Sequence, residues 1–116
     1  MSIYRHWRLC QAPLTCRKSM LNYIHITFKD DEVFLSDMSG NWGSGKFTVD
    51  GNTITIGQTY FTQMGRVWKD PAMRQEAALL DNFLCHLLNK PFTFEVTKTM
   101  LIIHCNDGVY YFKEID

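Results

Sequence analysis

The segment GNWGSGKFTVDGNTITIGQTYFTQM, residues 40–64, decides the fold that the sequence predicts. Apolar side chains alternate with polar ones on both sides of Asp50-Gly51-Asn52, which is the pattern of two strands that each bury one face. Glycine and asparagine tolerate the backbone of a tight turn, so the segment predicts a β-hairpin. The apolar residues expected on its inner face are Phe47, Val49, Ile54 and Ile56.

Two registers of this hairpin are open from the sequence. If the turn is centred on residues 51–52, Val49 faces Ile54. If it is centred on residues 50–51, Phe47 faces Ile54 instead. Both registers keep the apolar residues on one face, whereas a slip of one residue would place them opposite threonines. We therefore expect an even register.

Three glycines, Gly40, Gly43 and Gly45, precede the hairpin. Glycine relaxes the backbone where a strand must bend, so we interpret this stretch as a β-bulge or a barrel corner. A phosphate-binding loop is the alternative. It requires a Lys-Ser/Thr pair and the start of a helix directly after the glycines, and neither follows here.

Residues 70–89 carry the pattern of one amphipathic helix. Asp70 is a favoured N-cap and Pro71 suits the first helical position. Asn89 and Pro91 should end the helix. Its apolar stripe should pack on a face of the sheet, because no second helix is predicted to receive it. The residues of this stripe are Met73, Ala77, Leu80, Leu84 and Leu87.

Period-two patterns predict further strands on both sides of these elements. Residues 14–19 read as a polar connector, residues 59–68 as a loop or irregular strand, and Asp107-Gly108 as the turn of a closing hairpin. The order of five strands, a helix and three strands predicts an α+β fold: a strongly twisted antiparallel sheet, partly barrel-like, with one packed helix. The remaining predicted strands span residues 3–10, 21–29, 32–37, 92–98, 100–105 and 109–113.

Composition limits the class of protein. The chain has 116 residues, of which 46% are hydrophobic and 21% charged, as expected for a single globular domain over residues 1–116. Twelve Lys and Arg balance twelve Asp and Glu, so the basic excess of a nucleic-acid-binding surface is missing. No stretch is apolar for the length of a membrane span, and the first residues lack the continuous apolar run of an export signal. We therefore expect a cytoplasmic protein with no nucleic-acid partner and no membrane span. We also expect it to be a monomer.

The four cysteines, Cys10, Cys16, Cys85 and Cys105, match no zinc or haem spacing. An even number would allow a disulfide in an oxidising compartment. Four free thiols are favoured, because no export segment is recognised.

The chemistry-bearing residues form no recognisable site. Cys85 and His86 are adjacent on the predicted helix, where their directions diverge by about 100°. His104 and Cys105 are adjacent on a predicted strand and should point to opposite faces. The carboxylates show no glycosidase-like pair. We therefore assign no catalytic residue, metal ligand or cofactor, and predict a protein without enzymatic activity.

Four large aromatic residues flank the central hairpin. In small β domains such residues mostly belong to the core. Exposed aromatics beside glycines would instead mark a surface for a partner. The candidates for a partner surface are Trp42, Tyr60, Phe61 and Trp68.

Five positions carry a resemblance to a known family. Asn41 and Gly45 match its first motif, Gly51 matches its hairpin turn, and Thr62 and Met64 match its second motif. With the helix and closing hairpin that follow, the chain resembles the META domain family. That family includes the HslJ-like bacterial heat-shock proteins and the META proteins of trypanosomatid parasites.

The resemblance implies a non-enzymatic domain that acts through protein partners in stress response, or in virulence and secretion. Gly40 and Arg66 stand where the family has cysteines. If those cysteines pair in relatives, this chain has lost the bridge as a unit, which suits a reducing compartment and the parasite-type branch. A small-ligand-binding module of β-barrel type is the alternative, and a Cys-dependent enzyme is a third hypothesis.

Overall fold

A computed structural model describes residues 2–63, 65 and 67–115 of the chain. In chain order, the elements of this described part are β1 (His6–Gln11), α1 (Lys18–Leu21), β2 (His25–Lys29), β3 (Glu32–Ser36), β4 (Trp42–Asp50), β5 (Thr53–Phe61), α2 (Pro71–Asn89), β6 (Phe92–Val96), β7 (Met100–Cys105) and β8 (Gly108–Glu114).

The strands pair antiparallel in chain order, and β8 pairs back with β1, so the sheet closes into a ring. The predicted α+β architecture, an antiparallel sheet with one main helix, is confirmed. The sequence predicted only a partly closed sheet, whereas the structure completes the ring. None of the described helices has the length and apolar content of a membrane span.

The central hairpin adopts the first of the two registers, with Val49 opposite Ile54 and a turn at residues 51–52. Gly51 takes a φ of +62°, which glycine adopts without strain. The register shifts between Gly45 and Phe47, which confirms the interpretation of the glycine-rich stretch as a bulge. The bulge lets β5 continue as far as Phe61, although a loop or irregular strand was predicted from residue 59.

The prediction of a strand beginning at residue 21 is wrong. The Arg17 carbonyl accepts bonds from the Met20 and Leu21 N–H groups, which closes the short helix α1. Met20 and Leu21 are buried on this turn, and β2 begins at His25. Burial of two apolar side chains has therefore decided the local structure against the strand propensity.

The last hairpin turns one residue earlier than predicted. Cys105 pairs with Gly108, so the central turn residues are Asn106 and Asp107. Gly108 has a φ of +138°, and a Cβ built there would lie 2.8 Å from the Pro13 side chain. Glycine is therefore required at this position by close approach as well as by the backbone angle.

Helix α2 begins as predicted, with the Asp70 side chain accepting bonds from the N–H groups of Ala72 and Met73. Two of its buried residues were missed by the apolar-stripe pattern. Phe83 stacks on Tyr110 of β8 with 3.8 Å between ring centroids. Buried Glu76 forms an ion pair with Arg17, 3.1 Å from Oε2 to Nε. The predicted stripe packs inward as expected, with Met73 half-buried and the other members buried: Ala77, Leu80, Leu84 and Leu87.

Candidate functional site: the outer face of strands β1 to β5

Closure of the ring divides the strand side chains into an inner and an outer set. The inner set forms the core, and Trp7, Leu9 and Leu35 are fully buried in it. On the outer face, Phe34, Ser44 and Tyr60 lie side by side on three neighbouring strands. Side chains that lie opposite each other on neighbouring strands are close enough to contact one another and to form one surface.

Trp42 and Tyr60 are exposed by 54% and 70% on this outer face. Together with half-buried Phe34 they form a surface that we call the aromatic patch, Phe34–Trp42–Tyr60. The patch borders an open cleft of about 370 Å³. The residues that line this cleft are Phe34, Trp42, Gly43, Ser44, Tyr60, Phe61 and Thr62.

Hydrogen bonds between two strand ends fix the base of the patch. The Thr62 N–H donates to the Trp42 carbonyl (2.9 Å), and the Thr62 hydroxyl accepts from the Trp42 N–H (3.0 Å). The same hydroxyl donates to Oδ1 of Asn41 (3.2 Å). The carboxylate of Asp37 accepts from the Asn41 N–H (2.9 Å). Asn41 and Thr62, which the sequence comparison assigned to two different motifs of the META resemblance, are thus in direct contact.

The other motif positions have separate tasks. A Cβ built on Gly45 would lie 2.6 Å from Cγ2 of Thr59, so the glycine permits close packing across β4 and β5. Gly51 forms the hairpin turn. Met64 lies outside the described residues.

The four predicted surface aromatics divide into two pairs. Trp42 and Tyr60 are exposed in the patch, as described. Phe61 is half-buried, faces inward over Gly43, and still lines the cleft. Trp68 is half-buried, contacts Tyr23 edge to face, and donates its indole N–H to the Met38 carbonyl (3.0 Å). Trp68 therefore stabilises the loop at Met38.

A pair of histidines, His6 and His25, lies beside Arg8 on the same outer face, and sequence reasoning missed this contact. Nε2 of His6 is 3.1 Å from Nδ1 of His25, whose Nε2 is 2.9 Å from the Asn22 carbonyl oxygen. Because a carbonyl can only accept, Nε2 of His25 carries the proton, and Nδ1 accepts from His6. Burial lowers the pKa of His25; the bond to Asn22 opposes this, and the charges of His6 and Arg8 add to it.

Acid is expected to destabilise the fold through His25. Its folded-state pKa lies below that of the unfolded chain, so the unfolded state binds more protons as the pH falls through about 6.5. The stability that neutral His25 contributes is complete above the unfolded pKa and is lost as the pH falls toward the folded one. Urea midpoints at about pH 7.5 and about pH 5 should therefore differ more in the wild type than in His25→Gln. The exposed-site control His86→Gln should keep the wild-type difference. If the urea midpoint fell by the same amount on acidification in the wild type and in His25→Gln, this reasoning would be contradicted.

Two of the thiols, Cys16 and Cys105, do not have the environment of a nucleophile. All four cysteines of the described chain are free. Burial raises the pKa of Cys105 to about 11, with Asp107 adding to the effect. Burial also raises the pKa of Cys16, with the Glu76 charge second. A reactive cysteine needs a lowered pKa, so these surroundings favour structural roles.

His104 is exposed on the outer face and has its own partner, whereas Cys105 packs against the core. Its Nε2 lies 2.7 Å from Oε2 of Glu95, and both side chains are on the outer face of neighbouring strands. Among the described residues, no three His, Cys, Asp or Glu side chains converge as a metal site would require.

Comparisons with known proteins show the fold. No family model matches the sequence, and no curated protein matches it. An NMR structure described only as that of a protein is similar over 97% of this chain and 90% of its own, with a TM-score of 0.70 and 17% identity. An NMR structure of a protein from Burkholderia xenovorans is similar over 97% of this chain and 82% of its own, with a TM-score of 0.64 and 14% identity. A crystal structure of a DUF4847 family protein from Bacteroides vulgatus is similar over 98% of this chain and 96% of its own, with a TM-score of 0.59 and 16% identity. At these identities the likeness concerns the fold alone, and the META resemblance stays a prediction.

Proposed function

We propose that this chain is a non-enzymatic, META-like domain that binds a protein partner through the aromatic patch, in stress response or in virulence and secretion. The observation that supports the proposal is the exposure of Trp42 and Tyr60 on the same face of two paired strands. Large aromatics at such positions carry much of the binding energy of protein interfaces, because they bury a large area with few rotatable bonds.

The base of the patch is already ordered before any partner arrives. Thr62 bonds both the Trp42 backbone and the Asn41 side chain, so the strand ends do not have to be immobilised on binding. A preformed surface loses less conformational entropy when it binds, which favours recognition by docking. The cleft beside the patch offers room for an apolar side chain of the partner.

The alternative function, a small-ligand site inside the ring, receives less support. The interior is occupied by Trp7, Leu9, Phe112 and the helix residue Phe83, each at most 2% exposed. A ligand would have to displace these side chains, and close-packed cores resist such displacement.

The proposal is tested by affinity capture with the patch removed. Wild-type protein and the variant Trp42→Ser/Tyr60→Ser are used on extracts of the source cell, and each captured protein is then purified and titrated. We expect the double variant to weaken binding at least about tenfold, because both anchors of the interface are lost.

Tyr4→Ser provides the matched control. Tyr4 is an exposed tyrosine, 55% accessible, but it lies beside Lys29 and Asp30, away from the patch. The Tyr4→Ser variant should bind each captured protein with the affinity of the wild type. The proposal fails if no protein is captured reproducibly, or if the double variant binds each captured protein as the wild type does.

A further inference from the structure

Cations and aromatic side chains share two continuous rows on the outer face. One row runs across the strands through Lys113, Arg8, His25, Ser36 and Trp42. The second row lies two residues away along each strand. It runs through His6, Thr27, Phe34, Ser44 and Tyr60. Neither row contains a carboxylate. We call these two rows the basic–aromatic band.

Arg8 in this band has a donor that needs an acceptor. Its Nε is buried and has no hydrogen-bond partner among the described residues. The carboxylate of Glu114, next to Lys113 on the neighbouring strand β8, is already engaged, since it pairs with Arg5. A buried polar group without a partner is rare in folded proteins, and each one needs an explanation, such as an ordered water, an ion or a ligand. A carboxylate is the natural acceptor, because it can take two parallel bonds from a guanidinium.

We propose that the partner presents an acidic, extended segment to the basic–aromatic band, with a carboxylate on Arg8 and an apolar side chain on the aromatic patch. This inference rests on the proposed function, since it names the chemistry of the same partner. The geometry suits such a segment. Arg8 and Trp42 lie three strand spacings apart, about 14 Å, which an extended chain spans in about four residues.

The distribution of charge favours a peptide over a nucleic acid. A nucleic-acid strand carries a charge at every nucleotide and is held by cations along its whole path. In the band, the cations occupy one end, at Arg8 and Lys113, and the aromatics occupy the other end. This asymmetry matches a segment with charge at one end and an apolar residue at the other.

The probe is a synthetic decapeptide with two adjacent Glu residues placed four positions from a Phe, in a Gly/Ser background. Its binding is followed by NMR, through the side-chain N–H signals of Arg8 and Trp42. We expect saturable shifts at both signals and weaker binding as salt is added. Arg8→Gln should weaken binding at least about tenfold, and Arg8→Lys should be intermediate because it keeps the charge without the fork.

Two controls separate charge from position. Lys98→Gln removes one positive charge at an exposed turn outside the band and should bind as the wild type does. A peptide with Gln in place of both Glu should bind at least about tenfold more weakly, which tests the proposal even if an Arg8 variant does not fold.

Three outcomes would overturn the inference: equal binding of the Glu and Gln peptides, equal loss with Lys98→Gln and Arg8→Gln, or tighter binding of a ten-nucleotide oligothymidine than of the Glu peptide. The two proposals fail in different ways. If Trp42→Ser/Tyr60→Ser loses the captured partner and Arg8→Gln keeps it, the acidic segment is wrong and the aromatic docking surface stands. If both variants keep the partner, the docking surface itself is wrong.

Discussion

Phe83→Ala is expected to lower the free energy of unfolding by about 3–5 kcal/mol, the usual cost of removing a buried phenylalanine. The side chain is 2% exposed and is one of the α2 side chains that pack into the core of the ring. Its ring stacks on Tyr110 with an interplanar angle of 9° and also lies 6.2 Å from the Phe112 ring. Collapse of the helix into the space is hindered by the closed sheet, so most of the cavity should persist. Urea denaturation with fixed m-value analysis measures the change.

Asn82→Ala is the matched control, because Asn82 precedes Phe83 on the same helix and is exposed. It should change stability by less than about 0.5 kcal/mol. Phe83→Leu, which keeps much of the volume, should cost less than Phe83→Ala. If Phe83→Ala lowered the free energy of unfolding by less than about 1 kcal/mol, Phe83 would not be a close-packed contact between α2 and the ring.

Gly45→Ala is expected to cost about 2–3 kcal/mol, by overpacking at the bulge. An added Cβ would meet Cγ2 of Thr59 at 2.6 Å and the carbonyl oxygen of Gln58 at 2.8 Å. The second contact is with backbone, so it cannot be relieved by turning a side chain. The strands would have to separate, and Tyr60, next in the chain, would shift with them. Thermal and urea unfolding measure the loss, and the Trp42 indole signal reports the shift.

Gly57→Ala tests whether close contact, and not glycine itself, is responsible. Gly57 lies on the opposite strand of the same bulge, and a Cβ there would meet only the Lys46 carbonyl oxygen, at an ordinary 3.5 Å. Alanine also restricts the unfolded chain, so this variant should be neutral or slightly stabilised. Similar destabilisation by both substitutions would refute the packing argument for Gly45.

Local signals in the sequence were sufficient where neighbours in the chain decide the structure. Asp70 caps α2 through its own side chain, and Gly51 sets the turn of the central hairpin. Such signals fail where a distant contact intervenes. Leu21 left its predicted strand because the core buries it, together with Met20, on a helical turn. The last turn was misplaced by one residue: Gly108 pairs with Cys105 and packs against Pro13, far away in the chain.

The candidate site was only partly predictable for the same reason. Trp42 and Tyr60 were found because they flank glycines in one hairpin. The His6–His25 pair and the orphan donor of Arg8 depend on the register of β1 with β2, which short-range patterns do not specify. Contact between Asn41 and Thr62 likewise follows from strand pairing, although both were already singled out as motif positions.

The seam between β1 and β8 joins Leu9 to Phe112, so it brings together parts of the chain that are very far apart in sequence. We expect such a contact to form late in folding, because most of the intervening polypeptide must be ordered before it becomes favourable. Until that moment both seam strands carry open edges that another nascent molecule can join. The hazard of aggregation therefore belongs to the unfinished ring, and the final pairing step removes it.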